Sequence, residues 1–301
     1  MASPLANVPI CMLGGDTREV MLAEALVELE ADLRLVGFCL EGRLAKAGHF
    51  SEPIRAVEGC RAVIAPMSNT DLQGLITTTP NPSAAPIALP EVIPHLSPGT
   101  LLLIGVAKPV IKRLAETHSV RIVETADVDE IAVLNSVPTA EGAIQVAMEE
   151  TKITIHGSTC LVVGFGRCGL AIVQRLLALG AHVTVAARSR SDLARAAVLG
   201  ARGLDLAKLA TMTDFDLIFN TVPALVLDWP YLRLVNRDVV IIDIASSPGG
   251  TDFEAARQLG LRAIHALSLP AKVAPITAGE ILVRAVPRLL ENLLEEDSYE
   301  S

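Results

Sequence analysis

Leu161-Val-Val-Gly164-Phe-Gly166-Arg167-Cys-Gly169 is the stretch that decides the fold of this chain. An apolar strand runs into a G-x-G-x-x-G turn and leaves on a helix predicted over Leu170–Leu179. Each glycine has a physical task. Gly164 lets the chain turn sharply at the strand end, Gly166 lets backbone approach a pyrophosphate, and Gly169 lets the helix pack closely on the strand. Unpaired N–H groups at the positive end of the helix dipole would face the phosphates. Outward from the turn, Gly180 and Ala181-His-Val-Thr-Val-Ala-Ala187 complete a strand–helix–strand unit of roughly thirty residues. A glycine turn alone is weak evidence; in this setting it predicts a dinucleotide site.

The end of that second strand bears on which dinucleotide is held. An NAD site usually carries Asp or Glu there, about twenty residues after the glycines, on the ribose hydroxyls. This chain has Ala187-Arg188-Ser189-Arg190-Ser191. Two guanidinium groups and two hydroxyls suit a 2′-phosphate, so NADP is favoured and NAD stays open. In the competing reading Arg188 and Arg190 are the solvated start of the next helix, capped by Ser191 and Asp192.

Length and composition agree with an α/β protein. The 301 residues suit two domains of ordinary size. Apolar content of 51% with only 3% aromatic is the composition of buried parallel strands flanked by helices. No apolar run reaches the length of a membrane span, and no basic segment followed by an apolar stretch opens the chain; a cytoplasmic protein is expected. The net charge of −9 argues against nucleic acid or an anionic membrane as partner. Cys11, Cys39, Cys60, Cys160 and Cys168 are scattered, read as reduced core thiols, and show no zinc spacing.

Two α/β domains follow: a C-terminal Rossmann domain with a doubly wound parallel sheet, and an N-terminal flavodoxin-like domain. Strands are predicted at Val8–Leu13, Leu33–Phe38, Arg61–Ala65, Thr100–Val106 and Val120–Glu124. Helices are predicted from the Gly14–Arg18 turn to about Glu30 and at Val110–Thr117. Residues 66–98, rich in Pro, Ser and Thr, read as loops with short helices. Val128 to Glu149 reads as a linking helix interrupted near Pro138, because the residue before proline avoids helical angles. Beyond the glycine turn, strands are expected at Leu217–Asn220, Val239–Ile244 and Ala263–His265, with a closing helix at Gly279–Glu295 that packs back on the first domain. The boundaries read as 1–127, 128–150, 151–272 and 273–301.

Ligands of open α/β sheets bind beyond the carboxyl ends of the strands, so those loops are searched first. Gly14-Gly15-Asp16-Thr17-Arg18 offers a carboxylate and a cation, with Asp16 reading equally well as a helix cap. Pro66-Met-Ser68-Asn69-Thr70 offers small donors. Asn220-Thr221-Val222-Pro223 should lie beneath the cofactor, and the loop from Asp243 to Asp252 near the nicotinamide. The cofactor set is therefore Gly164, Gly166, Arg167, Gly169, Arg188, Ser189, Asn220, Thr221, Val222, Pro223 and Asp243. His156, His182 and His265 read as structural or surface residues, and neither H-E-x-x-H nor G-x-S-x-G occurs.

With these motifs in place the chain resembles the A subunits of dipicolinate synthase from spore-forming bacteria. The likeness runs nearly end to end: Gly14-Gly15-Asp16 with Arg18, Leu134-Asn135-Ser136-Val137-Pro138-Thr139-Ala140-Glu141-Gly142, Thr154-Ile-His156-Gly157-Ser158, the glycine turn, Ala187-Arg188-Ser189, Asn220-Thr221-Val222-Pro223, Pro248-Gly249-Gly250-Thr251-Asp252-Phe253 and Ala274-Pro275 with Thr277-Ala278-Gly279. Ala271 and Ile276 depart from it, where glycine and lysine are usual. Lys272 places a charge next to the first departure. The resemblance implies oxidation of a dihydrodipicolinate-type ring, or its hydrated precursor, to pyridine-2,6-dicarboxylate with nicotinamide reduction during spore formation. It also implies a flavoprotein-like B subunit as partner and a build like the formate/glycerate and alanine dehydrogenases, with the active site between the domains. A homodimer is a reasonable expectation from the high aliphatic content.

That chemistry needs donors for two carboxylates and a route for a proton. Arg18 is the first choice for a carboxylate clamp, with Asp16 beside it and Ser68, Thr70, Ser136 and Thr139 as hydroxyl partners. Glu141 is the candidate proton acceptor, provided burial raises its pKa; a helix-end carboxylate is the competing reading. Two other functions remain in play: a non-catalytic nucleotide-binding subunit that orders a partner, and a 2-hydroxy- or 2-amino-acid dehydrogenase.

Overall fold

Unbroken apolar runs of four to six residues, too short for a helix to bury, form strands covered on both faces. The computed structural model of the chain describes residues 3–39, 41–78, 81 and 83–300, with side chains described through residue 296. It divides into two units, Met1–Leu134 with Ala274–Ser301, and Asn135–Val273.

In the first unit the strands are β1 (Pro9–Leu13), β2 (Asp32–Val36), β3 (Gly48–His49), β4 (Ala62–Ile64), β5 (Leu75–Ile76), β6 (Ile87–Ala88), β7 (Leu101–Ile104) and β8 (Arg121–Glu124). Six of them make a parallel sheet ordered β3-β2-β1-β4-β7-β8, and β5 and β6 form a separate antiparallel pair. The alternation of strand side chains sends Ile10 and Met12 to one face. There they meet Leu22 and Leu26 of helix Thr17–Glu28 and Leu282, Val286 and Leu290 of the final helix Pro275–Glu300. Cys11 and Leu13 point to the other face, against Ala56, Ile93 and Ile111. The five longer strands keep the flavodoxin-like order, and β3 adds a sixth at the edge.

The second unit holds β9 (Thr159–Val163), β10 (His182–Ala187), β11 (Arg202–Asp205), β12 (Leu217–Asn220), β13 (Val240–Asp243) and β14 (Arg262–His265), all parallel in the order β11-β10-β9-β12-β13-β14. This is the Rossmann order. Cys160 and Val162 pack under Ala143, Ala147 and Ile172, while Leu161 and Val163 face Tyr231, Leu232 and Ala255. In both sheets the winding reverses beside the first strand, between β1 and β4 and between β9 and β12. Those switch points are where an open sheet leaves a crevice.

Several elements differ from expectation. Helix Asp129–Glu150 runs unbroken through Pro138. Proline removes one N–H bond, to Leu134 four residues back, and the buried face formed by Ala140, Ala143, Ile144 and Ala147 holds the rest of the helix on the sheet. Strands β3, β5, β6 and β11 and the short helix Leu269–Val273 add to the predicted set, and the final helix begins at Pro275. Within the predicted loop region 66–98, Thr79, Pro80 and Pro82 lie outside the described residues.

Candidate functional site

At the switch point of the second unit, β9 ends at Val163 and helix Arg167–Ala178 starts at Arg167. Gly164 has φ +92°, a conformation that a side chain resists. A Cβ there would also overlap the Thr221 hydroxyl, which donates to the Val163 carbonyl at 2.9 Å. A Cβ on Gly169 would overlap the Gly164 carbonyl, so this glycine sets how closely helix and strand approach. Gly166 behaves differently: a Cβ would meet nothing within 4 Å. It is the N-cap, it offers no side-chain cap, and it is exposed together with Arg167. The helix therefore presents first-turn N–H groups to open space without a capping side chain, the condition for seating a diphosphate. A dinucleotide fits these residues.

Around that cradle the loops are fixed by their own bonds. Asn220 is fully buried; its Nδ2 donates to the Val222 carbonyl at 3.0 Å and its Oδ1 accepts the Val222 N–H at 3.2 Å. Thr221 and Val222 are half-buried and Pro223 is exposed. Asp243, also fully buried, accepts from the Ala245 and Gly250 N–H groups and the Thr251 hydroxyl at 3.0, 2.9 and 2.7 Å. Both its oxygens are thus engaged in shaping the loop that follows β13. Asp252 caps helix Phe253–Leu259. At the end of β10, Arg188, Ser189 and Arg190 are exposed, Ser189 caps helix Arg190–Val198, and neither arginine has an ion-pair partner among the described residues. His156 fills the space over Gly180, and His265 meets the Ala245 carbonyl at 2.9 Å while stacking on Phe253. Both are packing residues.

The switch point of the first unit holds a charged cluster. Asp16 caps helix Thr17–Glu28, and Glu19 reaches back so that its Oε2 accepts the Asp16 N–H at 2.8 Å, a complete capping box. Gly15, at φ +137°, leaves the room that the Glu19 side chain occupies. The other Glu19 oxygen accepts the Met67 N–H at 2.9 Å. Arg18 donates through Nε and Nη2 to the Asp16 carboxylate at 2.9 and 2.7 Å, and through Nη2 to the Ser68 hydroxyl. The loops after β1 and β4 are therefore tied together twice. Gly105, after β7, lets the Met67 carbonyl lie where a Cβ would be. Thr70 Oγ1 is buried with no hydrogen-bond partner among the described residues.

The two acids of this cluster are shifted in opposite net directions. It raises Glu19, only 2% exposed, to about 7, with the Asp16 charge adding to the rise against the pull of Arg18. Burial also acts to raise Asp16, but its hydrogen bonds and ion pair with Arg18 prevail and hold it below the ordinary carboxylate value.

Comparison with known proteins follows the same division. Residues 9–126 match the family model of the N-terminal domain of the dipicolinate synthase A subunit. Residues 136–247 match that of the D-isomer specific 2-hydroxyacid dehydrogenase NAD binding domain. The A subunit of dipicolinate synthase from Bacillus subtilis (strain 168) is 32% identical over 298 residues, 97% of this chain and 99% of its own. The chain belongs to the family of dipicolinate synthase A subunits. The crystal structure of the dipicolinate synthase A subunit from Bacillus halodurans superposes with a TM-score of 0.88 at 33% identity, over 95% of this chain and 98% of that one. The transhydrogenase from Sinorhizobium meliloti, at 12% identity and a TM-score of 0.64 over 94% of this chain and 92% of its own, shares the fold alone.

In this member of the dipicolinate synthase family some predicted residues take other roles. Glu141 is a surface group: its side chain is 60% exposed and faces Arg175 at 3.6 Å, so it lacks the burial that its reading as a proton acceptor required. The helix presents it to Arg167–Ala178, which the linear sequence does not reveal. Thr139 donates its hydroxyl to the Asn135 carbonyl at 2.7 Å, and Ser136 is buried. Arg18 is not an open fork, because the Asp16 carboxylate already takes its paired edge. Glu19 is absent from the predicted set, although Asp16-x-x-Glu19 ahead of an apolar run is a capping-box signature. Among the described residues no group of three or more His, Cys, Asp or Glu could hold a metal, and no helix is long and apolar enough to cross a membrane. A groove of about 540 Å³ beside Lys152, Phe215 and Arg237 opens at the amino ends of β12 and β13, the edge opposite the glycine turn.

Proposed function

We propose that this chain is the nicotinamide-dependent oxidoreductase subunit of a dipicolinate synthase, oxidising a dihydrodipicolinate-type ring or its hydrated precursor to pyridine-2,6-dicarboxylate together with a B subunit. The observation that carries the reading is the open cradle at Gly166 in a chain related end to end to a dipicolinate synthase A subunit. Nicotinamide, when bound, supplies the two-electron acceptor for a hydride. The ring's other hydrogen leaves as a proton to solvent, the hydrated precursor losing a molecule of water as well, and aromatisation provides much of the driving force. Positioning then supplies most of the catalysis. Gly164, Gly166, Arg167 and Gly169 hold the diphosphate, Thr221 and Val222 form the floor, and Asn220 and Asp243 keep their loops in shape. Thr70 Oγ1, Ser68 and the remaining Nη1 edge of Arg18 are the donors for a substrate carboxylate; Ser136 supplies a further hydroxyl.

NADP is the proposed cofactor, because Arg188 and Arg190 stand exposed without carboxylate partners at the end of β10. Arg188→Ala should weaken NADP at least tenfold while changing NAD little, as calorimetry would read; equal losses reject the phosphate contact. The reaction itself is tested by mixing the purified chain, NADP, freshly prepared dihydrodipicolinate and the B subunit, and following nicotinamide reduction and dipicolinate by absorbance. Activity should require this chain and vanish with Gly166→Val. Full turnover by that variant, or by the B subunit alone, would reject the assignment.

A further inference from the structure

Asn135 is 9% exposed, and its side-chain Oδ1 is completely buried with no hydrogen-bond partner among the described residues. A buried carbonyl oxygen without a partner loses its water and gains nothing, at a cost of about 1–3 kcal/mol, and native structures contain few such groups. The position itself does not explain it, since Asn is a mediocre residue for a helix interior.

Its place in the second unit points to a ligand. Helix Asp129–Glu150 lies antiparallel to β14. At one end the Arg262 guanidinium, at the start of β14, donates to the Glu150 carbonyl at 2.7 Å. Nearer the other end, a Cβ on Gly142 would touch Leu269 and Val273, in the helix beyond the carboxyl end of β14. Asn135 is seven positions before Gly142, two turns and about 10 Å further along the same face. That carries it past the carboxyl end of β14. In a sheet ordered like this one, the half containing β9, β10 and β11 serves the adenosine and the half containing β12, β13 and β14 serves the nicotinamide.

We propose that Asn135 recognises the carboxamide of the nicotinamide ring, its Oδ1 accepting an N–H that the free protein cannot supply. The inference rests on the reading that a nicotinamide dinucleotide lies on the second unit. It assigns to Asn135 a role in fixing which face and orientation of the ring is presented, and none in holding the diphosphate.

The test separates a binding residue from a structural one. Asn135→Leu and Asn135→Ala, the second adding no volume, are compared with the unaltered chain by thermal unfolding without ligand. They are also compared by calorimetric titration with NADP or NAD, whichever the unaltered chain binds more tightly, and with the corresponding ADP-ribose, which lacks the nicotinamide. Removing an unpaired carbonyl oxygen should leave the melting temperature unchanged or raise it. Dinucleotide affinity should fall about tenfold while ADP-ribose affinity stays within twofold. A drop of several degrees in both variants makes Asn135 structural and overturns the proposal. So do equal losses on both ligands, or an unchanged dinucleotide affinity with a raised KM for the ring substrate. If the unaltered chain binds ADP-ribose and dinucleotide alike poorly, the dinucleotide site itself fails, a result distinct from any of these.

Discussion

Gly166 and Gly169 are three residues apart and have opposite sensitivities. A methyl on Gly169 meets the Gly164 backbone carbonyl, which cannot rotate away, whereas one on Gly166 enters open space at φ −77°. Gly169→Ala should therefore destabilise the protein by about 1–3 kcal/mol. Gly166→Ala should leave the melting temperature within a degree or two, yet weaken dinucleotide binding tenfold or more. Melting curves and titrations on both variants check this; a destabilised Gly166→Ala with normal binding would contradict the cradle. Glu19 makes a second residue-scale prediction. Its folded value of about 7 lies above the ordinary 4.5, so the proton is held more tightly in the folded state. The stability this contributes is fully present below about 4.5 and lost as pH rises through about 7. Asp16, lowered instead, has its effect below its ordinary value and is silent in that window. Between pH 5 and 7 the unaltered chain should lose on the order of 2 kcal/mol relative to Glu19→Gln. The variant should be weaker by about 1–3 kcal/mol where Glu19 is ionised, because Gln offers one acceptor to two N–H groups. Urea titrations at both pH values measure it, and parallel pH slopes would show that Glu19 does not titrate there.

Among the elements, helix Asp129–Glu150 shows where sequence reading succeeds and where it stops. Its amphipathic half, Ala140 to Ala147, is legible from spacing, and so are the long strands, whose apolar runs have no alternative but burial. The same reading misses β3 and β11: Gly48–His49 is two exposed residues, and Arg202–Asp205 buries only Leu204, so neither carries an apolar pattern. At the site, Asp16, Arg18 and Ser68 can be named because they follow strand ends, but their binding to one another cannot, since it joins residues fifty positions apart. The pairing of Glu141 with Arg175 is hidden for the same reason, its two members lying on different helices. Pro138 reads as a break when local preference is weighed without tertiary packing. That conflict is measurable. Pro138→Ala restores the N–H toward the Leu134 carbonyl and should stabilise the chain by about 1 kcal/mol, less than the full helix penalty of proline because the unfolded chain gains freedom. A lower melting temperature would mean that proline's ring is itself part of the packing.

On the scale of the whole molecule, the order of the chain makes the two units unequal. The second, Asn135–Val273, is one continuous segment, whereas the first is completed only when the chain returns at Ala274. That return is not peripheral. Ile281, Leu282, Val286, Leu290 and Leu294 are buried in the core that covers one face of the first sheet. Burying large aliphatic side chains contributes about 1.5–3 kcal/mol each, so together they match or exceed the net stability of a typical domain. A chain ending at Val273 should therefore leave the first unit without a stable fold, exposing Leu22, Leu26 and the β1 face. The segment 135–273 made alone has all six strands β9 to β14 and both of its cores, and should fold cooperatively and bind dinucleotide. Circular dichroism, urea unfolding and amide exchange on the two fragments decide the matter. Cooperative unfolding of the first unit in the chain ending at Val273 would show that the final helix is dispensable. An isolated second segment without fixed structure would show that its core depends on the rest of the chain.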